Sequence, residues 1–263
     1  MKKIVAFAGF SLLAVGAFAQ TNLQVFYDFG ENRKYVTSTL EMFKADDFGN
    51  TFFFVDYDHN WKNADDKIIS PSLTYMEIAR CFNFWGESAL APLSLQIEYN
   101  GGFGAAGYTV GFPIEKAWLF GVDYFMHNDD FSNTFNFKLL YKNINYNGAL
   151  DLNLDKRASK IPLQFTFVWG MQNIFGVEGL RFSGFADFWG ESHILLTDAK
   201  GDALTTPEDS DFVFLSEPQL WYNVGQHFDV PNLNVGTEVE LSYDFGTTKG
   251  FAVRPCLGFK WVF

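Results

Sequence analysis

Charged and amide side chains recur at every second position along much of this chain. Glu238 and Glu240 do so in one stretch, and Arg254 and Lys260 share a parity in another. Carboxylates, amides and a few bases set out in this way suit recognition of a polar solute more than bond-making. Nucleophilic catalysis needs a nucleophile and a base within hydrogen-bond reach. The histidines are His59, His127, His193 and His227, all in polar stretches or at segment ends, and none has an evident serine partner. Asp56 and Asp58 lie near His59, and Asp129 and Asp130 near His127. No standard ligand spacing appears, and such Asp/Asn clusters are commonly turn formers. No catalytic residue, cofactor or metal is therefore expected. Cys81 and Cys256 are the chain's 2 cysteines, too few for a disulfide-stapled secreted domain, and they are expected as free thiols.

The elements that carry these residues alternate with a period of two. In the last segment Val253, Pro255, Leu257, Phe259, Trp261 and Phe263 share one parity, while Ala252, Arg254, Cys256, Gly258 and Lys260 share the other. Successive side chains of a strand point to opposite faces, so one face is greasy and the other small or polar. The preceding segment repeats this, with Val235, Val239, Leu241, Tyr243 and Phe245 against Asn234, Gly236, Glu238, Glu240, Ser242 and Asp244. A soluble sandwich buries its greasy face, whereas a membrane barrel turns it out to lipid.

Three further features choose the barrel. Residues 1–19 read as a secretory signal peptide: Lys2 and Lys3, an uncharged apolar run, then Ala17-Phe18-Ala19 as the cleavage site. Aromatic residues make up 19% of the chain, with 32 Phe, matching the needs of a lipid-facing wall and its girdles. Twelve alternating segments can be read: Leu23–Phe29, Val36–Lys44, Thr51–Asp58, Ser72–Phe84, Leu93–Gly101, Ala117–His127, Thr134–Ile144, Pro162–Ile174, Leu180–Gly190, Phe212–Val224, Leu233–Phe245 and Phe251–Phe263. Short Gly/Asp/Asn/Pro connections alternate with long ones at His59–Ser70, Gly102–Lys116, Asn147–Lys160 and Glu191–Asp211. The expected fold is all-β, a transmembrane antiparallel β-barrel of about twelve strands over residues 20–263. It is expected to be one domain and a monomer, with both termini in the periplasm of a Gram-negative bacterium.

Parity then assigns the lumen. Phe26, Asp28, Glu41, Phe43, Asp56, Glu77, Arg181, Asp187, Glu238 and Arg254 are expected to face inward as candidate solute contacts. Lone carboxylates there serve equally well as struts of the wall. A barrel of this size encloses more space than the filled eight-strand case and less than a 16–18-strand aqueous channel. It suits one small solute at a time. Net charge is −12, which argues against a nucleic-acid surface. The acid-rich lumen disfavours anions, and with them an acidic-oligosaccharide porin.

Two stretches carry a resemblance. Ser70-Pro71-Ser72-Leu73-Thr74-Tyr75-Met76-Glu77-Ile78-Ala79-Arg80 resembles the "SP…MEI…R" strand of the nucleoside-specific channel-forming (Tsx-like) porins. Leu40-Glu41-Met42-Phe43-Lys44 with Asp46-Asp47-Phe48 is similar to that family's "E-x-F…D-W/F" strand and turn, and Phe182–Glu191 resembles a late strand. The chain is also similar to a related group of uncharacterised outer-membrane proteins. The resemblance implies a twelve-stranded barrel that passes nucleosides, with Glu41, Phe43, Glu77 and Arg80 among its lumen residues. The family spaces its Glu and Arg evenly. Here one residue fewer separates them, so strict alternation turns Arg80 outward: either a bulge intervenes, or Arg80 lies low enough to reach the periplasmic rim. The aromatic end at Phe263 is similar to the signature read by the outer-membrane assembly machinery. Two other readings remain: a plugged or structural barrel or surface receptor worked by its loops, and a phospholipase needing Ser, His and a polar partner on the lipid-facing wall.

Overall fold

The computed structural model describes residues 20–31, 33–62, 68–86, 88–106 and 110–263. The signal-peptide reading lies outside the described residues. The chain forms β1 (Gln20–Asp28), β2 (Val36–Asp46), β3 (Gly49–His59), β4 (Trp61–Lys62), β5 (Ile68–Ser70), β6 (Leu73–Phe82), β7 (Leu93–Ala106) and β8 (Val110–His127). There follow β9 (Asn133–Asn145), β10 (Leu163–Gln172), β11 (Leu180–Thr197), β12 (Ala203–Ser216), β13 (Gln219–Tyr222), β14 (Leu233–Tyr243) and β15 (Phe251–Val262). Each wall strand pairs antiparallel with its sequence neighbour, and β1 pairs with β15 to close the ring. β12 and β13 act as a single wall strand, since β11 and β14 pair with both. The result is a closed twelve-strand barrel, as the alternation predicts. The short β4–β5 hairpin stands outside the ring.

Burial follows parity. Along β1, Asn22, Gln24, Phe26 and Asp28 are buried while Leu23, Val25 and Tyr27 are exposed. Along β15, Ala252, Arg254, Gly258 and Lys260 are buried while Val253, Pro255, Leu257, Phe259 and Trp261 are exposed. The greasy face is thus the outer one, and it is continuous around the ring, which is what a hydrocarbon surround requires. Outward aromatics interlock across strands: Phe137 and Phe167 ring centroids lie 4.9 Å apart, Phe167 and Trp169 5.5 Å, and Trp169 and Phe182 5.8 Å. Offset and tilted pairs of this kind add to area burial.

Two connections differ from the sequence expectation. Gly102–Lys116 is not a loop: β7 runs to Ala106 and β8 begins at Val110. Glu191–Asp211 is likewise mostly strand, β11 reaching Thr197 and β12 starting at Ala203. Both hairpins continue past the apolar band, where lipid no longer enforces greasy alternation, so the sequence signal fades while backbone pairing persists. The expected strand Phe212–Val224 is interrupted at Glu217–Pro218, because proline has no N–H to give the ladder. Register is nonetheless kept across the break, with Ser216 opposite Leu241 and Gln219 opposite Glu238.

Both described ends of the chain lie at one rim, the terminal rim; the long connections crowd the other, the loop rim. Leu139 is 53% exposed on the outer face of β9, facing Val122 and Phe165 across the ladders. Leu139→Arg is expected to cost roughly 2–4 kcal/mol and Phe48→Arg, in a turn, close to zero. Equilibrium folding into lipid vesicles in a denaturant series checks both; equal costs would place the hydrocarbon band elsewhere.

Candidate functional site

The interior divides into packed and half-open sectors. Inward residues of β1, β7, β8 and β10 are nearly inaccessible, among them Gln24, Gln96, Asn100, Asp123, Leu119 and Gln164. On β2, β3 and β6 Glu41, Phe54, Asp56, Tyr75 and Glu77 are half-buried, while Ala79 and Cys81 at the terminal-rim end of β6 are buried. Arg181, Phe185 and Asp187 of β11 are half-buried too. A narrow water-accessible strip along the lumen is thereby lined by acids, aromatic rings and one guanidinium. Glu77 sits within electrostatic reach of Glu98, Asp187 and Lys142.

Buried carboxylates must be paired or hydrogen-bonded, and here neutral donors do most of that. Glu41 accepts from Asn22 Nδ2 at 2.8 Å, and Glu77 from Tyr75 Oη at 2.7 Å and Asn100 Nδ2 at 3.0 Å. Asp56 accepts from Thr39 at 2.5 Å, and Glu238 from Gln219 at 2.6 Å. Asp123 accepts twice from Asn136, both at 2.9 Å. Apart from Tyr75, which lies two residues from Glu77 on the same strand, these donors sit opposite or diagonal to their acids on neighbouring strands, so ladder register delivers them. Amides and hydroxyls satisfy these oxygens, and among the described residues none of Glu41, Asp56, Glu77 and Glu238 forms an ion pair.

Towards the loop rim the arrangement changes. Arg254 donates to Glu240, and Arg33, from the β1–β2 connection, reaches in to Glu240 at 2.9 Å and Asp28 at 3.2 Å. Asp28 and Arg254 are therefore struts rather than open solute contacts. Tyr35 Oη and Thr37 Oγ1 both donate to Asp58, at 3.0 and 2.9 Å. Burial holds the Tyr35 phenol well above its usual range, with Asp58 adding to this against the opposing charge of Arg33. The 146–162 connection is tied down by Arg157, which bonds Glu115 at 2.8 Å and the Ser192 carbonyl at 2.7 Å. Phe245 stands edge-on to Trp189 at 6.2 Å, although β12 separates their strands in the wall, so the two rings meet over the lumen mouth.

The expected inward set is brought together except at two places. Arg80 faces outward. The β3–β6 register has no bulge, placing Arg80 beside Thr51 on the outer wall. There its guanidinium grips Asp46 at 2.7 and 2.8 Å, beside the turn at the terminal rim, where an exposed cation costs little. Arg80 is not a lumen residue. Phe43 has inward parity but is 44% exposed at that rim, opposite Gln20 and Phe52. It marks the mouth rather than the strip, and Phe54, one rung further in, holds the position expected of it.

His59 also departs from expectation: its Nε2 lies 2.8 Å from Ser38 Oγ on the outer face near the loop rim. The pair spans two strands, so spacing along the sequence hides it. Among the described residues no group bonds its other ring nitrogen, so this is a cross-strand hydrogen bond without the third member of a triad. Asp56 and Asp58 point inward while His59 points outward, which separates the possible metal ligands; no metal-ligating group appears among the described residues. Cys81 and Cys256 are free.

Two changes test how the interior is held. Glu240→Ala, which leaves Arg254 buried without its partner, is expected to cost about 3–5 kcal/mol, whereas the Glu240→Met/Arg254→Met pair should be near neutral. Gly258 lies under the Phe26 ring, where an added Cβ would stand 2.6 Å from Cδ1. Gly258→Val is expected to destabilise by about 1–3 kcal/mol through overpacking. Denaturant midpoints of refolded protein read all three variants.

Among solved structures, the NanC porin is similar over 92% of this chain and 98% of its own, with 8% identity and a TM-score of 0.54. That likeness is one of fold. A BenF-like porin from Pseudomonas fluorescens Pf-5 covers 90% of this chain and 58% of its own, with 13% identity and a TM-score of 0.38. Acinetobacter baumannii OccAB3 covers 93% and 98%, with 9% identity and a TM-score of 0.37. No curated protein sequence matches the chain. Residues 19–263, the whole barrel, match a domain of unknown function, DUF5020, and the chain belongs to that family.

Proposed function

We propose that the protein is a narrow diffusion channel in the outer membrane of a Gram-negative bacterium, passing small neutral solutes of the size and polarity of nucleosides. The observation that carries this reading is the half-buried strip of Glu41, Phe54, Asp56, Tyr75 and Glu77 facing Arg181, Phe185 and Asp187, in a barrel whose β1, β7, β8 and β10 sectors are packed. Aromatic rings among unneutralised hydrogen-bond acceptors suit a flat polar ring compound. Phe54 and Tyr75 ring centroids lie 6.1 Å apart, so the rings form a tilted pair on one side of the strip. The Tsx-like stretches add support, since Glu41 and Glu77 both belong to it.

Liposomes carrying the refolded mature chain are expected to admit uridine and adenosine faster than a sugar of similar size. Glu77→Gln should lower nucleoside flux roughly tenfold, the worth of one charge-assisted contact, and Phe54→Ala about as much, the worth of one aromatic stacking contact. Equal flux of nucleosides and sugar would remove the nucleoside assignment. No flux of any solute would favour a plugged or structural barrel, the reading that the Trp189–Phe245 contact at the loop rim makes specific.

A further inference from the structure

One ring of the lumen near the terminal rim holds charges that the protein itself leaves unpaired. Arg181 stands in register with Trp221, and Lys260 Nζ lies 4.1 Å above the Trp221 ring. Gln24, the register partner of Lys260, donates to Asn22 at 2.9 Å, and Asn22 in turn donates to Glu41 at 2.8 Å. Register and hydrogen bonds thus bring two cations and one carboxylate to a common level. Phe26 and Trp221, 5.3 Å apart, form its floor over Gly258 and Gly236.

Charges in so buried a place are ordinarily matched. Here they are not. Arg181 Nε is buried without a hydrogen-bond partner, and so is Gln24 Oε1. Among the described residues neither Arg181 nor Lys260 has a carboxylate within the 4.0 Å of an ion pair, although both lie within electrostatic reach of Glu41, and Lys260 of Glu238 as well. A gap wider than a salt bridge therefore separates positive from negative across the passage, and its guanidinium and ammonium N–H groups are left to donate elsewhere. A guanidinium fork matches a carboxylate, and a carboxylate matches an ammonium group.

We propose that this ring is a subsite for zwitterions. A solute carrying both an ammonium and a carboxylate group, an α-amino acid in its simplest form, enters with its carboxylate on Arg181 and Lys260 and its ammonium on Glu41. Such a solute has no net charge, so the acid-rich strip does not repel it. The transverse field that turns it into line does nothing for an uncharged solute. The proposal rests on the channel reading above and adds a second solute class to it.

Alanine and lactamide test it, being nearly equal in size and both without net charge. In liposomes with the refolded mature chain, alanine flux at low concentration is expected to exceed lactamide flux several-fold and to saturate. Arg181→Gln should lower alanine flux about tenfold relative to lactamide flux, so the preference disappears. Glu41→Gln should do the same from the opposite charge, which keeps the test decisive if one variant fails to refold. Lactamide flux equal to that of alanine in the unaltered protein, or a preference that survives both substitutions, would overturn the subsite while leaving the channel intact. Absence of flux for both solutes would instead overturn the channel reading on which it stands.

Discussion

Backbone amides and carbonyls surrounded by lipid have no water to turn to, and this requirement shapes everything else in the molecule. Each unsatisfied group would cost several kcal/mol, so a sheet in hydrocarbon must close on itself. The β1–β15 pairing, seven residues long from Asn22 opposite Val262 to Asp28 opposite Cys256, is where it does so. Closure fixes parity around the ring, and parity decides which half of the side chains meets lipid and which meets the interior. The period of two in the sequence is the trace of that single constraint.

Inside the ring a second balance applies. Twelve strands enclose more space than side chains from one wall fill unaided, and the packed sectors show how far filling goes: Leu119 and Leu140 are buried together with Ala117. The remaining sectors stay half-open and polar. Their acids are held by Asn, Gln, Thr and Tyr donors instead of by bases. Where bases do pair, at Arg254, Arg33 and Glu240, the interior is braced near the loop rim. The braced and the half-open parts of the interior thus use the same residue types at different heights, separated by whether the partner is charged.

Much of this was legible in the sequence. The alternation of Phe251–Phe263 predicts β15 and the direction of every one of its described side chains, and the inward positions of Phe26, Glu41, Asp56, Glu77, Asp187 and Glu238 follow from parity alone. What was not legible depends on neighbours in space. The outward turn of Arg80 is plain only once β6 is seen to run without a bulge and Asp46 is found beside it. The Ser38–His59 contact and the unpaired state of Arg181 belong to strand register, which hydrophobic period does not encode. The two tall hairpins were missed because outside lipid a strand no longer has to alternate greasy and polar.

The seam between β1 and β15 joins segments separated by nearly the whole length of the chain. Of the wall strands β1 is the first in sequence and its closing partner the last, so until those two meet any partly formed sheet presents an unpaired edge at each end. Exposed edges invite pairing with other chains, and contacts this remote in sequence form slowly because the loop-closure cost precedes their reward. The architecture therefore builds in a long open stage, during which the chain depends on being shielded from its neighbours, and ends it with one late event, after which the barrel has no edge left to offer.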